Sequence, residues 1–320
     1  MNPILWVGAT PVYADIHASS YNFNINSVKQ RITKNTKAII VQHSFGISSP
    51  ISDLRSLCDA YKIILIEDCA HALGMTYQGK KAGTIGDVAL LSFGRDKVIS
   101  CVYGGAVVAN KYSEQIQAVH NTYKKPSTLW TFQQLIHPLV TTRLLRAYSF
   151  GGSKALWLLQ RLSVLSKAVS KQERVGQRPS YFPAQLPNGL AILALHQFSK
   201  LEKFNNHRKK LATVYENALK NVQTVTLPKV LSGSIFLRYP IQHNNAQQVL
   251  RKGYKNKLIL GDWYRNVIDP RGTNMKIMRY TKGDTPVAEA VAQNTINLPT
   301  NIKTTQQDAQ NIAQFIIDNS

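Results

Sequence analysis

Two apolar runs in this chain end in residues that could do chemistry together. The first, Ile64-Leu65-Ile66, leads into Glu67-Asp68-Cys69-Ala70-His71-Ala72. The second, Val88-Ala89-Leu90-Leu91-Ser92-Phe93, leads through Gly94-Arg95-Asp96 to Lys97 and on to Tyr103-Gly104-Gly105. Ligands of open parallel sheets bind beyond the carboxyl ends of the strands. A carboxylate there can hold a cationic ring nitrogen, the partner that a pyridinium cofactor needs to act as an electron sink. A lysine in the loop after a neighbouring strand can form a Schiff base if burial and a nearby cation leave its amine neutral. Each group alone also has a plain structural reading: an acid after a strand caps a helix, and one lysine among 39 basic residues is solvated.

The elements that must position these groups are legible in the same stretch. Lys37 to Val41, Ile63 to Ile66, Val88 to Phe93 and Ala106 to Ala109 read as strands, and their continuous apolar character predicts a sheet covered on both faces. Ser49-Pro50 followed by Leu54, Leu57, Cys58 and Tyr61 predicts a crossover helix with proline in its first turn. This alternation argues for an α/β class with a mostly parallel sheet. After Pro187-Asn188-Gly189 one long helical pattern runs toward Leu219. A strand is expected over Ser234 to Pro240 and a helix near Ala246 to Leu250. A last helix opens on the capping pair Thr305-x-x-Asp308 and buries Ile312, Phe315 and Ile316. The expected division is a large domain over 1–204 and a smaller α+β domain over 205–320.

Composition narrows the function. The chain of 320 residues is 44% hydrophobic, enough for a buried core. It has no apolar run long enough to span a bilayer and no signal-peptide pattern at its start. Three irregularly spaced cysteines, Cys58, Cys69 and Cys101, suit neither a disulfide framework nor a zinc site. A cytoplasmic location is the expectation. His137, His196, His207 and His243 lack metal-ligand spacing, and no metal is expected. A net charge of +22 favours polyanions in general, but no nucleic-acid recognition motif accompanies it. A phosphorylated small molecule or nucleotide fits better.

In order and spacing, the motifs resemble the DegT/DnrJ/EryC1/StrS family of sugar aminotransferases, enzymes of the fold-type-I (aspartate-aminotransferase-like) pyridoxal-phosphate class. Glu67-Asp68-Cys69-Ala70-His71-Ala72 matches the family's E-D-A-A-[QH]-A, and Gly86-Asp87 through Ser92-Phe93 to Lys97 matches its G-D-x-x-x-x-S-F-x-x-x-K. Val7 to Ile16, Thr36 to Ile40, Gln197-Phe198-x-Lys200-Leu201 and Asn297-Leu298-Pro299 resemble further family segments. The resemblance implies that Lys97 binds pyridoxal 5'-phosphate covalently and carries the proton in transamination. It also implies that Asp68 pairs with the pyridinium nitrogen, that His71 packs on the ring or touches its oxygen, and that Ser92 contacts the phosphate. The implied reaction moves an amino group, from glutamate or another amino-acid donor, to a keto sugar carried on a nucleotide diphosphate, in cell-surface polysaccharide or related sugar biosynthesis. The implied assembly is a homodimer. Lysine at position 97 separates the chain from the family's dehydratase branch, which has histidine there.

Several features depart from the family pattern. Family members carry a segment ahead of the equivalent of Val7-Gly8-Ala9-Thr10 that cradles the cofactor phosphate on backbone N–H groups. No match to it is visible, so weak cofactor binding is expected, and a non-catalytic or truncated relative acting as a binding or assembly partner is the rival reading. The asparagine and arginine expected before the Gln197 helix are replaced by Phe182-Pro183-Ala184-Gln185-Leu186, with Gln185 or Asn188 as substitutes. Tyr103 stands where members have an acid. His43 could face the site or be structural, and Trp6, Trp130, Trp157 and Trp263 read as core or interface. Finally, residues 124–180 form an insert with ten Lys or Arg against the single acid Glu173. Leu135, Leu139, Leu144, Leu145, Tyr148, Leu156, Leu159, Leu162 and Leu165 interleave there with Arg143, Arg146, Lys154, Arg161 and Lys167. Such helices either lie on an anionic membrane surface or, as the preferred reading, cover the catalytic domain or a dimer seam.

Overall fold

The computed structural model describes residues 2–147, 150–162, 164–167 and 169–320. Ahead of the sheet come α1 (Asn2–Trp6) and α2 (Ile25–Arg31). The central sheet runs β1 (Ala38–Gln42), β2 (Ile64–Asp68), β5 (Val88–Ser92), β6 (Gly105–Ala109), with a small hairpin of β3 (Thr76–Tyr77) and β4 (Lys80–Lys81) on the connection. β1, β2 and β5 are parallel and β6 is antiparallel. The crossover α3 (Ile51–Tyr61) buries Leu54, Leu57 and Cys58 against Ile39, Val41 and Leu65. Pro50 sits just ahead of that helix as its cap rather than inside its first turn.

The sheet is less covered than its apolar strands suggest. Ile39 and Val41 are buried beneath the helices, whereas Ile40 on the opposite face is exposed, as is Val107 on β6. Side chains alternate faces along a strand, and α2 and α3 pack on only one of them. Along β2 this puts Leu65 and Glu67 on the buried side and leaves Ile64, Ile66 and Asp68 half-buried on the other. The two acids of the pair therefore face different environments.

Beyond the sheet come α4 (Ser113–Asn121) and, in the segment expected as an insert, α5 (Thr128–Arg146), α6 (Gly152–Arg161) and α7 (Lys171–Arg174). Tyr148 of the insert lies outside the described residues. The expected long helix is two helices, α8 (Asn188–Phe198) and α9 (Leu201–Leu219). They serve different cores: Leu190 and Ala194 of α8 pack with Leu135 and Trp130 of α5, whereas Leu211, Tyr215 and Leu219 of α9 enter the C-terminal core. The chain therefore turns at Ser199-Lys200.

That C-terminal core is an antiparallel sheet of β7 (Val225–Thr226), β8 (Tyr239–His243) and β9 (Thr295–Leu298). It is covered by α9, α10 (Ala246–Lys255) and α12 (Gln306–Ile317), with α11 (Pro286–Asn294) leading into β9. Thr305 and Asp308 form the capping box that starts α12. The strand expected from Ser234 begins only at Tyr239. Upstream, the Ile235 and Leu237 amides donate to Gly46 and Phe45 carbonyls (3.0 and 2.8 Å), tying this segment to the loop after β1. Gly46 permits that approach: its φ is +79°, and a Cβ there would stand 2.8 Å from Ile235 Cγ1 and 2.9 Å from the His71 carbonyl.

Candidate functional site

Glu67 is fully buried and saturated. Its Oε1 accepts the Ile85 and Gly86 amides (2.8 and 2.6 Å), and its Oε2 accepts the Gly83 amide (2.9 Å) and His43 Nε2 (3.1 Å). Burial pushes its carboxyl up, but these bonds outweigh that and hold it below the usual range. His43 Nδ1 accepts the Ser49 amide (3.1 Å), so Nε2 carries the proton and donates. His43 is thus structural. It also lies near Cys69, and the three donor atoms fall within 4.8 Å of one another. Hydrogen bonds already occupy the carboxylate and both ring nitrogens, and burial raises the Cys69 thiol, so this cluster has no lone pairs prepared for a metal.

Asp68, one residue on, is different. Its Oδ1 accepts the Ala70 amide (2.9 Å), and its Oδ2 has no hydrogen bond among the described residues. It lines a cavity of about 930 Å³ together with Gln42, Ser44, Phe45, Tyr264 and Arg178. Burial raises the Asp68 carboxyl, partly offset by the Ala70 amide and the positive charge of Lys97. Lys97 is half-buried, and burial lowers its ammonium pKa; Asp68 and Asp96 oppose this while Arg238 adds to it. Ser92 ends β5 beside it: a Cβ on Gly94 would lie 3.6 Å from Ser92 Oγ and 3.7 Å from Lys97 Cγ. Gln42, Asp68 and Ser92 are the last residues of the three parallel strands. An open carboxylate oxygen, a lysine whose ammonium burial disfavours and a Ser92 hydroxyl without a hydrogen bond among the described residues therefore lie at the carboxyl ends of the parallel strands, although of the three only Asp68 lines the cavity. This donor set suits a cationic ring nitrogen, an aldehyde and a phosphate, the three polar features of pyridoxal phosphate.

His71 is buried among aromatic rings. Trp263 lies 6.1 Å away at 8° between planes, Tyr264 at 6.0 Å and 15°, and Phe45 at 6.3 Å and 28°. Its Nδ1 accepts the Phe45 amide (3.3 Å), leaving Nε2–H to meet Tyr264 Oη (3.3 Å). Burial, reinforced by the charges of Lys97 and Arg238, depresses its pKa to about 3, so the ring is neutral. Arg238 stacks on the far partner of this group, its guanidinium 4.3 Å from the Trp263 ring. Tyr264 and Arg238 belong to no motif of the sequence, and Trp263 reads there as core or interface. They approach Lys97 and His71 from the C-terminal part of the chain, and no local motif announces them.

Other residues hold the lysine loop. Arg208 of α9 is buried and donates to the Val98 carbonyl (3.0 Å); burial lowers its pKa to about 10. Asn205, one turn earlier, donates to the Leu73 carbonyl (3.0 Å). Arg95 donates to the Ser166 carbonyl (2.8 Å) and to its hydroxyl, which in turn donates to Gln134 of α5 (2.7 Å). The loops after β2 and β5 are thus pinned by α9 and by the insert. Asp87 of the Gly-Asp pair is structural, accepting the Leu65 amide (2.8 Å), Arg55 (3.0 Å) and Lys111 (2.6 Å). Tyr103 packs on Trp130 and Phe182. Gln185 and Asn188 do not line the cavity; Arg178, Phe182 and Pro183 do.

The DegT/DnrJ/EryC1/StrS aminotransferase family matches residues 1–142 and 153–317. The chain is 44% identical over 110 residues to GDP-perosamine synthase of Vibrio cholerae, a stretch covering 34% of this chain and 30% of that protein. It is 25% identical over 315 residues to GDP-perosamine synthase of Caulobacter vibrioides, covering 97% and 73%. Its fold is that of Helicobacter pylori PseC, an aminotransferase of pseudoaminic acid biosynthesis, with a TM-score of 0.74 at 20% identity over 99% of this chain and 75% of that one. EpsN of Bacillus subtilis, 27% identical over 185 residues, is described as a putative pyridoxal phosphate-dependent aminotransferase, and an E. coli GDP-4-keto-6-deoxy-D-mannose-3-dehydratase of the same fold is seen with hydrated pyridoxal phosphate bound. The sequence motifs and the sheet edge they build agree with these matches, and the chain belongs to the DegT/DnrJ/EryC1/StrS aminotransferase family.

Proposed function

We propose that this chain is a pyridoxal-phosphate-dependent aminotransferase that passes an amino group from an amino-acid donor such as glutamate to a keto group of a nucleotide-linked sugar. The observation that carries this reading is Asp68, which lines the cavity with its Oδ2 free of hydrogen bonds among the described residues and lies within electrostatic range of the half-buried Lys97. When bound, pyridoxal phosphate supplies a carbonyl carbon and an electron-accepting ring. Asp68 would accept the ring N–H and keep that nitrogen protonated. Lys97 would hold the carbonyl carbon through its amine, with loss of water, and, once the donor's amine displaces it, would carry a proton between the substrate carbon and that carbonyl carbon. Ser92 would donate to a phosphate oxygen. His71, enclosed by aromatic rings, acts on the site through the Tyr264 hydroxyl. Arg238, half-buried and free of a carboxylate partner within salt-bridge distance among the described residues, receives an anionic group of the substrate.

The proposed assembly is a homodimer, and exposed Ile192, Leu195 and Phe198 on α8 offer an apolar seam for it. The proposed location is the cytoplasm; among the described residues no helix is long and apolar enough to cross a membrane. The test is an absorbance titration with excess pyridoxal phosphate. A band near roughly 400–430 nm, a property of this cofactor bound to lysine, is expected in the wild type and absent in Lys97→Ala. A band that survives Lys97→Ala, or none in either protein, refutes the assignment.

A further inference from the structure

α5 carries apolar side chains on two sides. One side packs Trp130 and Leu135 onto α8 and buries Gln134 and His137, covering the site domain. The other leaves Leu129 and Phe132 open at 79% and 60% exposure. α6 then projects a face of Trp157 and Leu158, continued by Leu162, with Phe150 just ahead of it 92% exposed. Lys154 and Arg161 lie on this same face, and Arg161 stands over the Trp157 ring at 5.1 Å. Between Lys124 and Gln172 the sequence holds no Asp or Glu.

We infer that this face of the insert docks onto an anionic lipid bilayer. Charge decides against the obvious competitor. A two-fold contact between copies brings the same patch against itself, and here each Lys154 and Arg161 would meet a patch of apolar and basic side chains with no acid between Lys124 and Gln172 to answer them. Soluble polyanions answer the charge but not Phe150, Trp157 and Leu162, whose apolar area gains nothing from a phosphate chain in water. A headgroup layer over acyl chains answers both. Aromatic and leucine side chains enter the boundary region while long basic side chains reach the phosphates. The insert is tied through Ser166 to Arg95, two residues before Lys97, so the docked face lies one connection from the proposed site.

The experiment is co-sedimentation of the 320-residue protein with vesicles of phosphatidylcholine containing phosphatidylglycerol, beside pure phosphatidylcholine. Binding is expected only to the anionic vesicles. Trp157→Ser with Leu158→Ser abolishes it. Lys154→Ala with Arg161→Ala weakens it about thirtyfold, at about fivefold per basic residue near the surface. All four positions are exposed, so melting temperature serves as the folding control. Absence of wild-type binding overturns the inference, as does undiminished binding by the Trp157/Leu158 variant, which would leave only diffuse charge. A wild-type dimer that the same variant converts to monomer in light scattering would assign the face to a second copy and also overturn it.

Discussion

Glu67→Gln tests the division of labour between the adjacent acids most directly. The Glu67 carboxylate receives four donors, two on each oxygen. A glutamine must turn its NH₂ either toward Ile85 and Gly86 or toward Gly83 and His43, donor against donor in both cases. Flipping the His43 tautomer moves the conflict rather than removing it, because Nδ1–H would then face the Ser49 amide. Losing two bonds to a charged acceptor costs about 3–6 kcal/mol at 1.5–3 each. Relaxation reduces this toward about 3–5, the range for breaking a buried charged pair. The apoprotein melting temperature should fall by on the order of 10 °C. Because the Glu67 pKa is depressed, its contribution is present above the unfolded carboxylate value and lost as pH falls through the folded one, so the variant also loses that acid dependence. Asp68→Asn should behave oppositely. Asn keeps an acceptor for the Ala70 amide and removes a carboxylate whose pKa burial raises, so stability changes by under about 1 kcal/mol. Cofactor absorbance, by contrast, should collapse in Asp68→Asn. If Glu67→Gln melts with the wild type while Asp68→Asn unfolds, the assignment of structural and functional acid is reversed and the reasoning fails.

Two further outcomes follow from the same geometry. Asp87 is buried and held at about 2 against an ordinary 3.8, with burial opposed by Lys111, the Leu65 amide and Arg55. Asp87→Asn should therefore cost about 2 kcal/mol near neutral pH, and wild-type stability measured by denaturant should lose that amount as pH falls from about 4 to about 2. Arg238→Gln removes a positive charge that lowers the Lys97 pKa, so the ammonium persists to higher pH. The pH midpoint for cofactor capture at 400–430 nm should rise, and an unchanged midpoint would exclude Arg238 from the Lys97 environment.

Much of the sheet edge is readable from residues alone because it is local. Asp68 and Lys97 each follow an apolar run, and parallel strands bring such ends together. Strand alternation even separates Glu67 from Asp68, although two adjacent acids look equivalent in a string. The capping box of α12 is also a matter of neighbours. What stays hidden depends on distance along the chain. The His71 partner Tyr264 is 193 residues away and the Val98 partner Arg208 is 110 away. Neither has a periodic or motif signature. The misread strand at Ser234 has the same origin: Ile235 and Leu237 are apolar and spaced like a strand, yet their amides bond to the loop at Phe45 and Gly46. The single helix expected over 188–219 fails because a continuous apolar pattern does not reveal that its halves face different cores.

The position of Lys97 then follows from a convergence rather than from its own loop. Strand β5 carries it to the sheet edge, where the β2 carboxylate waits. A loop of such length, held only by its ends, would sample many conformations, and a lysine in it would spend most of its time in solvent as the ammonium. Arg208 fixes the loop at Val98 from α9, and Arg95 fixes it from the insert through Ser166. These two ties place the amine in the half-buried setting that depresses its pKa. The setting of Lys97 is thus a consequence of long-range packing: Arg208 and Arg95 hold its loop where burial and the charge of Arg238 lower its pKa. The chain from α5 to Ser166 is part of this support: its packed side holds Arg95 through Ser166 and Gln134, while Leu129, Phe132, Trp157 and Leu158 stay exposed on the other.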